Sequence, residues 1–264
     1  MPEGPEVKIA SDFYNLYFKD SVIDSFEVLT DYYDKKYGHI FEELNEKICG
    51  RYQPSFTIGK NGFIQLDKNR FFNFHLGMTG GWHLEPEKHC HFKITSGDKT
   101  LYYKDVRKFG KMKVLELEQI QNKHIKEFDS LHPDYDIKAH FDFLKEKVNK
   151  ESPICKILLD QKKFPGVGNY IKCEILYASK IHPEKKWGKL SDSKIKDVLV
   201  QSKDVMQRSY QTGGAELKDF KNPFHTSEFT LKIYGKTHDP LGNEVMKGMT
   251  KDQRRSWWSP TIQK

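Results

Sequence analysis

The chain begins Met1-Pro2-Glu3-Gly4-Pro5-Glu6, with two carboxylates and two imino acids ahead of the first aliphatic side chain, Val7. Pro2 is small enough for an aminopeptidase to remove Met1, and removal would expose a secondary amine. An α-amino group has a reference pKa of about 7.7–8.0, far below that of lysine. Proline's amine is somewhat more basic, so a pocket would have to keep part of it neutral. A neutral amine can attack an aldehyde-like carbon and form an iminium. Glu3 would sit beside it as proton donor and acceptor. Gly4 lets the backbone fold tightly, and Glu6 falls in the first turn of a helix, where a carboxylate favours the dipole. Taken alone, the six residues read more readily as the plain start of a helix with a loose tail.

A second stretch with chemical potential is FPGVGNYIKCEILYASKIHP, residues 164–183. A helix ends at Lys162-Lys163, and Pro165-Gly166 with Gly168 make a tight double turn. Asn169 then caps a second helix whose apolar side carries Ile171, Ile175, Leu176 and Ala178. Glycine-rich turns at a helix start expose backbone N–H groups that suit a phosphate. An ordinary helical hairpin uses the same glycines. His89-Cys90-His91 has metal-ligating side chains, but neighbours in a strand point to opposite faces, so a strand with a buried thiol is the better account. The four cysteines, Cys49, Cys90, Cys155 and Cys173, form no CxxC pair and no disulfide framework.

These groups must be positioned by a chain of 264 residues with 37% hydrophobic and 31% charged content, enough for one large domain or two modest ones. Pro5 to about Lys19 reads as a helix with Val7, Ala10, Phe13, Tyr14 and Tyr17 close to one face. From Val22 to Val114 the texture is that of strands: SVIDSFEVL, NGFIQLD, RFFNFHLGM, CHFKITS and KMKVLEL alternate apolar and polar residues, as half-buried strands of an antiparallel sandwich or barrel do. The pattern loosens from Glu118 to Asp136. Helical periodicity follows in FDFLKEKVN, PICKILLDQKK, NYIKCEILYASK and SDSKIKDVLVQSKDVMQRSY. From Phe229 short strands and turns return as FTLKIYG, DPLGNEV and RRSWWSP. A net charge of +7 favours a polyanionic partner. With no apolar run of membrane-spanning length and no secretory leader pattern, the expectation is an intracellular protein, neither membrane-bound nor secreted.

MPEGPE together with LLDQKKFPGVGNYIKCEIL resembles the Fpg/Nei family of bifunctional DNA glycosylases, in which the second motif is a helix–two-turns–helix element. HLGMTG (His75–Gly80), DVRKFG (Asp105–Gly110), GGAELKDF (Gly213–Phe220) and the closing YGKTHDP…QRRSWWSPTIQK match in order, so the resemblance spans essentially the whole chain. It implies an α+β fold: an N-terminal helix with an antiparallel β-sandwich over residues 1–125, a linker over 126–139, a helix–two-turns–helix domain over 140–228, and a finger hairpin over 229–264.

The resemblance also implies roles. Pro2 would be the nucleophile at the anomeric carbon of a damaged nucleotide, Glu3 its acid/base partner, and Glu6 a supporting carboxylate. Lys60, in a turn after a glycine (FTIGKNGF), matches a family lysine of the catalytic group. Asn169 matches the asparagine that binds backbone phosphate, with Gly166, Gly168, His75 and Lys108 also on the DNA. Lys108 stands where arginine is commoner, which keeps charge but not bidentate geometry. Met78, Arg107 and Phe109 match the trio that fills the hole left by the extruded base. Arg254, with Arg255 second, matches the finger arginine at the flanking phosphates. Many members hold zinc with four cysteines in this hairpin; here those positions are Leu241, Glu244, Ser259 and Ile262. The resemblance therefore implies no metal and no cofactor, and a zincless finger of the endonuclease VIII-like branch, held by packing of residues such as Trp257, Trp258 and Ile262.

The implied function is base excision repair by a monomer on damaged DNA, in duplex form with single strands left open. Removal of oxidised bases would be followed by β,δ-elimination. NYIKCEIL and the missing cysteines point to oxidised pyrimidines and hydantoins, whereas GGAELKDF looks more like the branch acting on 8-oxoguanine. A catalytically silent DNA-binding relative is the alternative if Met1 is retained. A proline-nucleophile tautomerase would be far shorter and would need no basic helical domain.

Overall fold

The first helix, α1 (Gly4–Tyr17), has Pro5 in its first turn, where a missing N–H costs nothing. Its apolar stripe, Val7, Ala10, Phe13 and Tyr14, is buried, in line with the sequence periodicity. The computed structural model describes residues 1–47, 49–50, 53–215, 222–224 and 226–264. Glu216–Phe220 of the GGAELKDF motif lie outside the described residues. The chain divides into two compact units.

The first unit comprises Met1–Pro2, Glu6–Lys123 and the described part of Glu216–Ser227. Two four-stranded antiparallel sheets make its body. One has the order β1-β6-β7-β5, from β1 (Ser25–Val28), β6 (Cys90–Ser96), β7 (Lys99–Asp105) and β5 (Gly80–His83). The other has the order β2-β3-β4-β8, from β2 (Ser55–Ile58), β3 (Asn61–Gln65), β4 (Arg70–His75) and β8 (Lys111–Glu116). Ile64, Phe72, Phe74 and Met112 of the second sheet share one core with Phe26, Trp82, Phe92 and Tyr103 of the first, as alternation along paired strands requires.

One element departs from the expected run of strands: α2 (Asp31–Lys47) is a helix. Its buried residues, Tyr33, Tyr37, Ile40, Phe41 and Leu44, fall at helical spacing. Aromatic richness and Gly38 disguise that period as strand texture, but tertiary packing decides, because the buried side joins the sandwich core. A short helix, α3 (Leu117–Lys123), then covers the outer face of the second sheet through Ile120, beside Ile58, Phe63, Phe71 and Leu115.

The second unit comprises Glu3–Pro5, His124–Ala215 and Glu228–Lys264. It holds α4 (Ile137–Lys147), α5 (Ile154–Leu159), α6 (Asn169–Ala178) and α7 (Asp192–Gln211), followed by a hairpin of β9 (Met246–Met249) and β10 (Arg255–Trp258). Asp136 caps α4 and Ser191 caps α7 through their side chains. The expected strand at Phe229–Gly235 does not form. The N–H groups of Lys232, Ile233 and Tyr234 donate to the buried Glu174 carboxylate at 3.0, 3.0 and 2.9 Å, so they are unavailable for a sheet ladder. DPLGNEV is likewise a turn closed by one bridge, His238 to Glu244. Among the described residues no helix is long and apolar enough to cross a membrane.

His140 of α4 is 1% exposed and stacks on Phe128 at 4.8 Å. Its Nε2–H donates to the Lys163 carbonyl at 2.6 Å and its Nδ1 accepts from the Tyr135 hydroxyl at 3.3 Å. Burial pushes the imidazole down to about 4, against the raising effect of the Lys163 carbonyl. A depressed histidine contributes stability that is present above the unfolded value of about 6.5 and lost as pH falls toward 4. Lowering the pH from 7 to 5 will therefore cost about 2 kcal/mol from this residue. Urea unfolding of His140→Phe at both pH values will show a pH dependence shallower by that amount; an unchanged dependence would contradict the assignment.

Candidate functional site

The N-terminal segment is anchored by its third residue. Glu3 is 3% exposed, and its Oε2 accepts from the Gly168 N–H at 2.7 Å and the Ile171 N–H at 3.2 Å. Its Oε1 accepts from the Tyr170 N–H at 3.0 Å. Gly4 N–H donates to the Gly166 carbonyl at 2.9 Å. The carboxylate thus fills the anion-binding position at the N-terminus of α6, although it lies 165 residues away in sequence. Gly168 permits this approach: a Cβ there would lie 2.2 Å from Glu3 Cδ. Gly166, with φ +84°, makes the turn that presents its carbonyl to Gly4.

This geometry corrects two sequence expectations. Asn169 does not cap α6; it is the first helical residue, the cap position is Gly168, and Glu3 supplies the capping oxygens. The glycine N–H groups are also not left exposed for a phosphate. The Gly168 N–H is held by Glu3, and the Gly166 N–H donates to Gln161 Oε1 at 3.2 Å. The donor that Asn169 presents is its side-chain amide, whose Nδ2 reaches the Arg255 carbonyl at 2.9 Å. Pro2 and Glu6 are both buried, Glu6 completely and within the first turn of α1.

In the first unit the structure brings HLGMTG and DVRKFG together. Asp105 is fully buried and holds both segments. It accepts from the Thr79 hydroxyl through Oδ1, and from Gly110 N–H at 2.7 Å and the Tyr33 hydroxyl at 3.4 Å through Oδ2. Thr79 Oγ1 in turn accepts from Arg107 N–H at 2.9 Å. Gly77, with φ +65°, packs where a Cβ would lie 2.5 Å from the Phe109 carbonyl carbon. On this base Met78 is half-buried, while Arg107, Lys108 and Phe109 project into solvent. The Arg107 guanidinium lies 4.8 Å from the Phe109 ring, and Lys108 Nζ lies 4.6 Å from the Tyr32 ring of α2. Phe109 is 49% exposed and is not a core residue.

Lys60 follows Gly59 (φ +60°) in the tight turn between β2 and β3. Its charge and that of Lys111 reinforce burial in pushing His75 down to about 4, so His75 is neutral at pH 7. His75 Nδ1 accepts from Gly77 N–H at 3.0 Å, which leaves the ring proton on Nε2.

In the second unit, Arg254 and Arg255 are exposed beside the hairpin turn between β9 and β10. The hairpin is held less by apolar packing than expected. Trp257 packs on Tyr234 at 4.5 Å and Trp258 on His182 at 5.5 Å. Ile262, however, is only half-buried and Leu241 is 73% exposed. Polar groups do much of the holding: Asp239 accepts from the N–H groups of Leu241 and Asn243, each at 2.9 Å. Buried Gln263 binds Ser259 N–H at 2.8 Å and the Ile181 carbonyl at 2.9 Å.

Residues 1–112 match the model of the formamidopyrimidine-DNA glycosylase N-terminal domain, and residues 129–221 match that of the formamidopyrimidine-DNA glycosylase H2TH domain. A formamidopyrimidine-DNA glycosylase of Zymomonas mobilis is 33% identical over 74% of this chain and 75% of its own length. The chain belongs to the formamidopyrimidine-DNA glycosylase family. A second relative of that name, from Novosphingobium aromaticivorans, is 30% identical over 84% of this chain and 86% of its own. Among solved structures, Lactococcus lactis Fpg in complex with DNA containing an abasic site covers 99% of both chains at a TM-score of 0.83 and 26% identity.

Three buried charged side chains are not among those that the sequence of this formamidopyrimidine-DNA glycosylase family member singles out. Asp105 organises the loop pair, Glu174 anchors the strand-like segment, and Lys172 lies buried beneath Asn169. The available signal was in α6 itself: Tyr170 to Leu176 are all buried, so a lysine and a glutamate within that run each require a partner.

Proposed function

We propose that this protein is a bifunctional DNA glycosylase/AP lyase that excises oxidised bases from DNA through an iminium at Pro2. The observation that carries this reading is the tether of the N-terminal segment: Glu3 is held by three N–H groups of the α6 N-terminus, directly after Pro2 in the chain. A merely loose tail would not need an acid residue fitted against two glycines.

In this mechanism, removal of Met1 frees the Pro2 nitrogen. Its lone pair attacks C1′ of the damaged nucleotide, the C1′–N bond breaks, and the base departs with the electron pair and a proton. Glu3 protonates the sugar ring oxygen as the ring opens, leaving the iminium. The iminium acidifies the C2′ proton; its loss expels the 3′ phosphate, and a second elimination expels the 5′ phosphate. Hydrolysis restores Pro2. Glu6 and Lys60 support this centre, as the family resemblance implies. Lys108, neutral His75 (through Nε2–H), Asn169, Arg254 and Arg255 bind backbone phosphates, and Met78, Arg107 and Phe109 fill the space of the extruded base. Exposure of Phe109 and of both hairpin arginines supports these assignments.

The finer reading places the protein in the zincless endonuclease VIII-like branch, preferring oxidised pyrimidines and hydantoins. Leu241, Glu244, Ser259 and Ile262 at the four cysteine positions support it. The names of the two relatives above favour a second reading, formamidopyrimidines as substrates. A panel of duplexes and single strands, each with one lesion, separates the two: excision of oxidised pyrimidines and hydantoins ahead of formamidopyrimidine and 8-oxoguanine supports the first, and the reverse order the second. No excision of any lesion by the Met1-free protein would contradict both.

Arg254→Ala will weaken binding to abasic-site duplex and reduce the slope of log affinity against log salt by about 1. An unchanged slope in a salt titration would remove Arg254 from the phosphate contacts.

A further inference from the structure

We infer that Lys172 is a positioning residue for phosphate binding: its buried ammonium locks the Asn169 amide and the Thr250–Arg255 turn into one unit. The inference rests on the DNA-binding function proposed above.

Lys172 is 0% exposed on α6. An ammonium has three donors and no acceptor, and each donor is matched. Nζ donates to Asn169 Oδ1 at 2.9 Å, to Ser256 Oγ at 2.8 Å and to Asp252 Oδ2. The Asp252 side chain is 2% exposed. Its other oxygen accepts from the Thr250 hydroxyl at 2.6 Å and from Arg254 N–H at 3.2 Å. Thr250 Oγ1 also lies 2.7 Å from Ser256 Oγ. The side-chain network of Asp252, Thr250 and Ser256 beneath Arg254 and Arg255 thus leads back to one lysine on α6.

A buried ion pair is a poor source of net stability, because an apolar pair of the same volume often serves as well. What the charge does supply is direction. Lys172 can only donate, so the Asn169 atom facing it must be the oxygen. The Arg255 carbonyl can only accept, so the atom facing it must be the NH₂ group, and it lies 2.9 Å away. Both ends of the amide are therefore set by partners with a single possible role. An apolar residue at 172 would leave only the Arg255 carbonyl to orient the amide, with one of the two anchors lost. The same ammonium sets the hairpin turn, so the Asn169 donor and the Arg254 guanidinium are presented in fixed relation.

The double variant Lys172→Met, Asp252→Leu removes both charges without leaving either unpaired. Binding to a duplex containing a tetrahydrofuran abasic analogue will weaken about tenfold, while the thermal midpoint stays close to wild type. Asn169→Ala will weaken the wild type about tenfold but add less than about twofold in the double variant, since coupled residues are not additive. The Asn169 carboxamide of the wild-type chain will also give two resolved, slowly exchanging N–H signals by NMR, a measurement that needs no variant to fold. Wild-type affinity in the double variant, equal Asn169→Ala effects in both backgrounds, or a rapidly exchanging carboxamide would each overturn the inference. A wild-type protein that fails to bind the abasic duplex would overturn the DNA-binding function itself, and with it this inference.

Discussion

Pro2→Gly will lower base excision by about 10³-fold while most of the affinity for abasic-site duplex remains. The reasoning starts from the nitrogen. While Met1 is attached, the lone pair of Pro2 is delocalised into a planar amide and cannot attack carbon. Once Met1 is gone, Pro2 offers a ring-constrained secondary amine whose iminium carries a full positive charge through both eliminations. Glycine offers a primary amine on a freely rotating backbone, at a position where the chain is buried, with Glu3 pinned to the N-terminus of α6 and Gly4 to the turn before it. Its Schiff base can lose the N–H proton and stall, and its attack geometry is no longer set. A factor of 10³ corresponds to about 4 kcal/mol of lost transition-state stabilisation. Affinity is carried by Asn169, Arg254, Arg255 and the loop of Arg107 to Phe109 in the proposed function, none of which this change touches. Single-turnover excision and equilibrium binding on one lesion duplex check both halves. Full wild-type excision by Pro2→Gly would contradict the mechanism.

The second large effect comes from Glu3→Gln, and it has two parts. The chemical part is loss of a positioned proton donor, on the order of 10²–10⁴ in rate. The structural part follows from the capping geometry: Oε1 receives one N–H and Oε2 two. Glutamine keeps one oxygen and must turn an NH₂ toward N–H donors on the other side. At least one buried donor is left unsatisfied, which costs about 1–3 kcal/mol. A residue that served only in catalysis would leave stability unchanged. Urea unfolding of Glu3→Gln will show the loss, and an unaltered midpoint would show that the helix N-terminus does not depend on the Glu3 carboxylate.

The parts of the fold that were legible in the sequence are those where local pattern and tertiary environment agree. The α1 stripe of Val7, Ala10, Phe13 and Tyr14, the alternating strands of the sandwich, and the α6 helix after Gly168 all follow from spacing and glycine chemistry. The misreadings share one cause: a distant partner decides. The aromatic side of α2 was read as strand because only the sandwich core reveals which of its residues face inward. Phe229–Gly235 has strand composition, but Glu174 takes its N–H groups. Asn169 is a good cap by type, yet the α6 cap comes from Glu3 at the other end of the chain. Lys172 and Asp252 are not singled out by the sequence, because a pairing across 80 residues leaves no local trace. The candidate nucleophile was legible for a different reason: its chemistry depends on being second in the chain, which is a property of sequence.

The most direct measurement of the central claim is the site of covalent attachment. Met1-free protein is incubated with abasic-site duplex in borohydride, which reduces the iminium to a stable amine. The trapped complex is then digested and read by mass spectrometry. The account predicts the sugar adduct on the N-terminal peptide, on the nitrogen of Pro2, and none on Lys60. An adduct on a lysine side chain, or no adduct from a protein that still cuts the DNA, would contradict it.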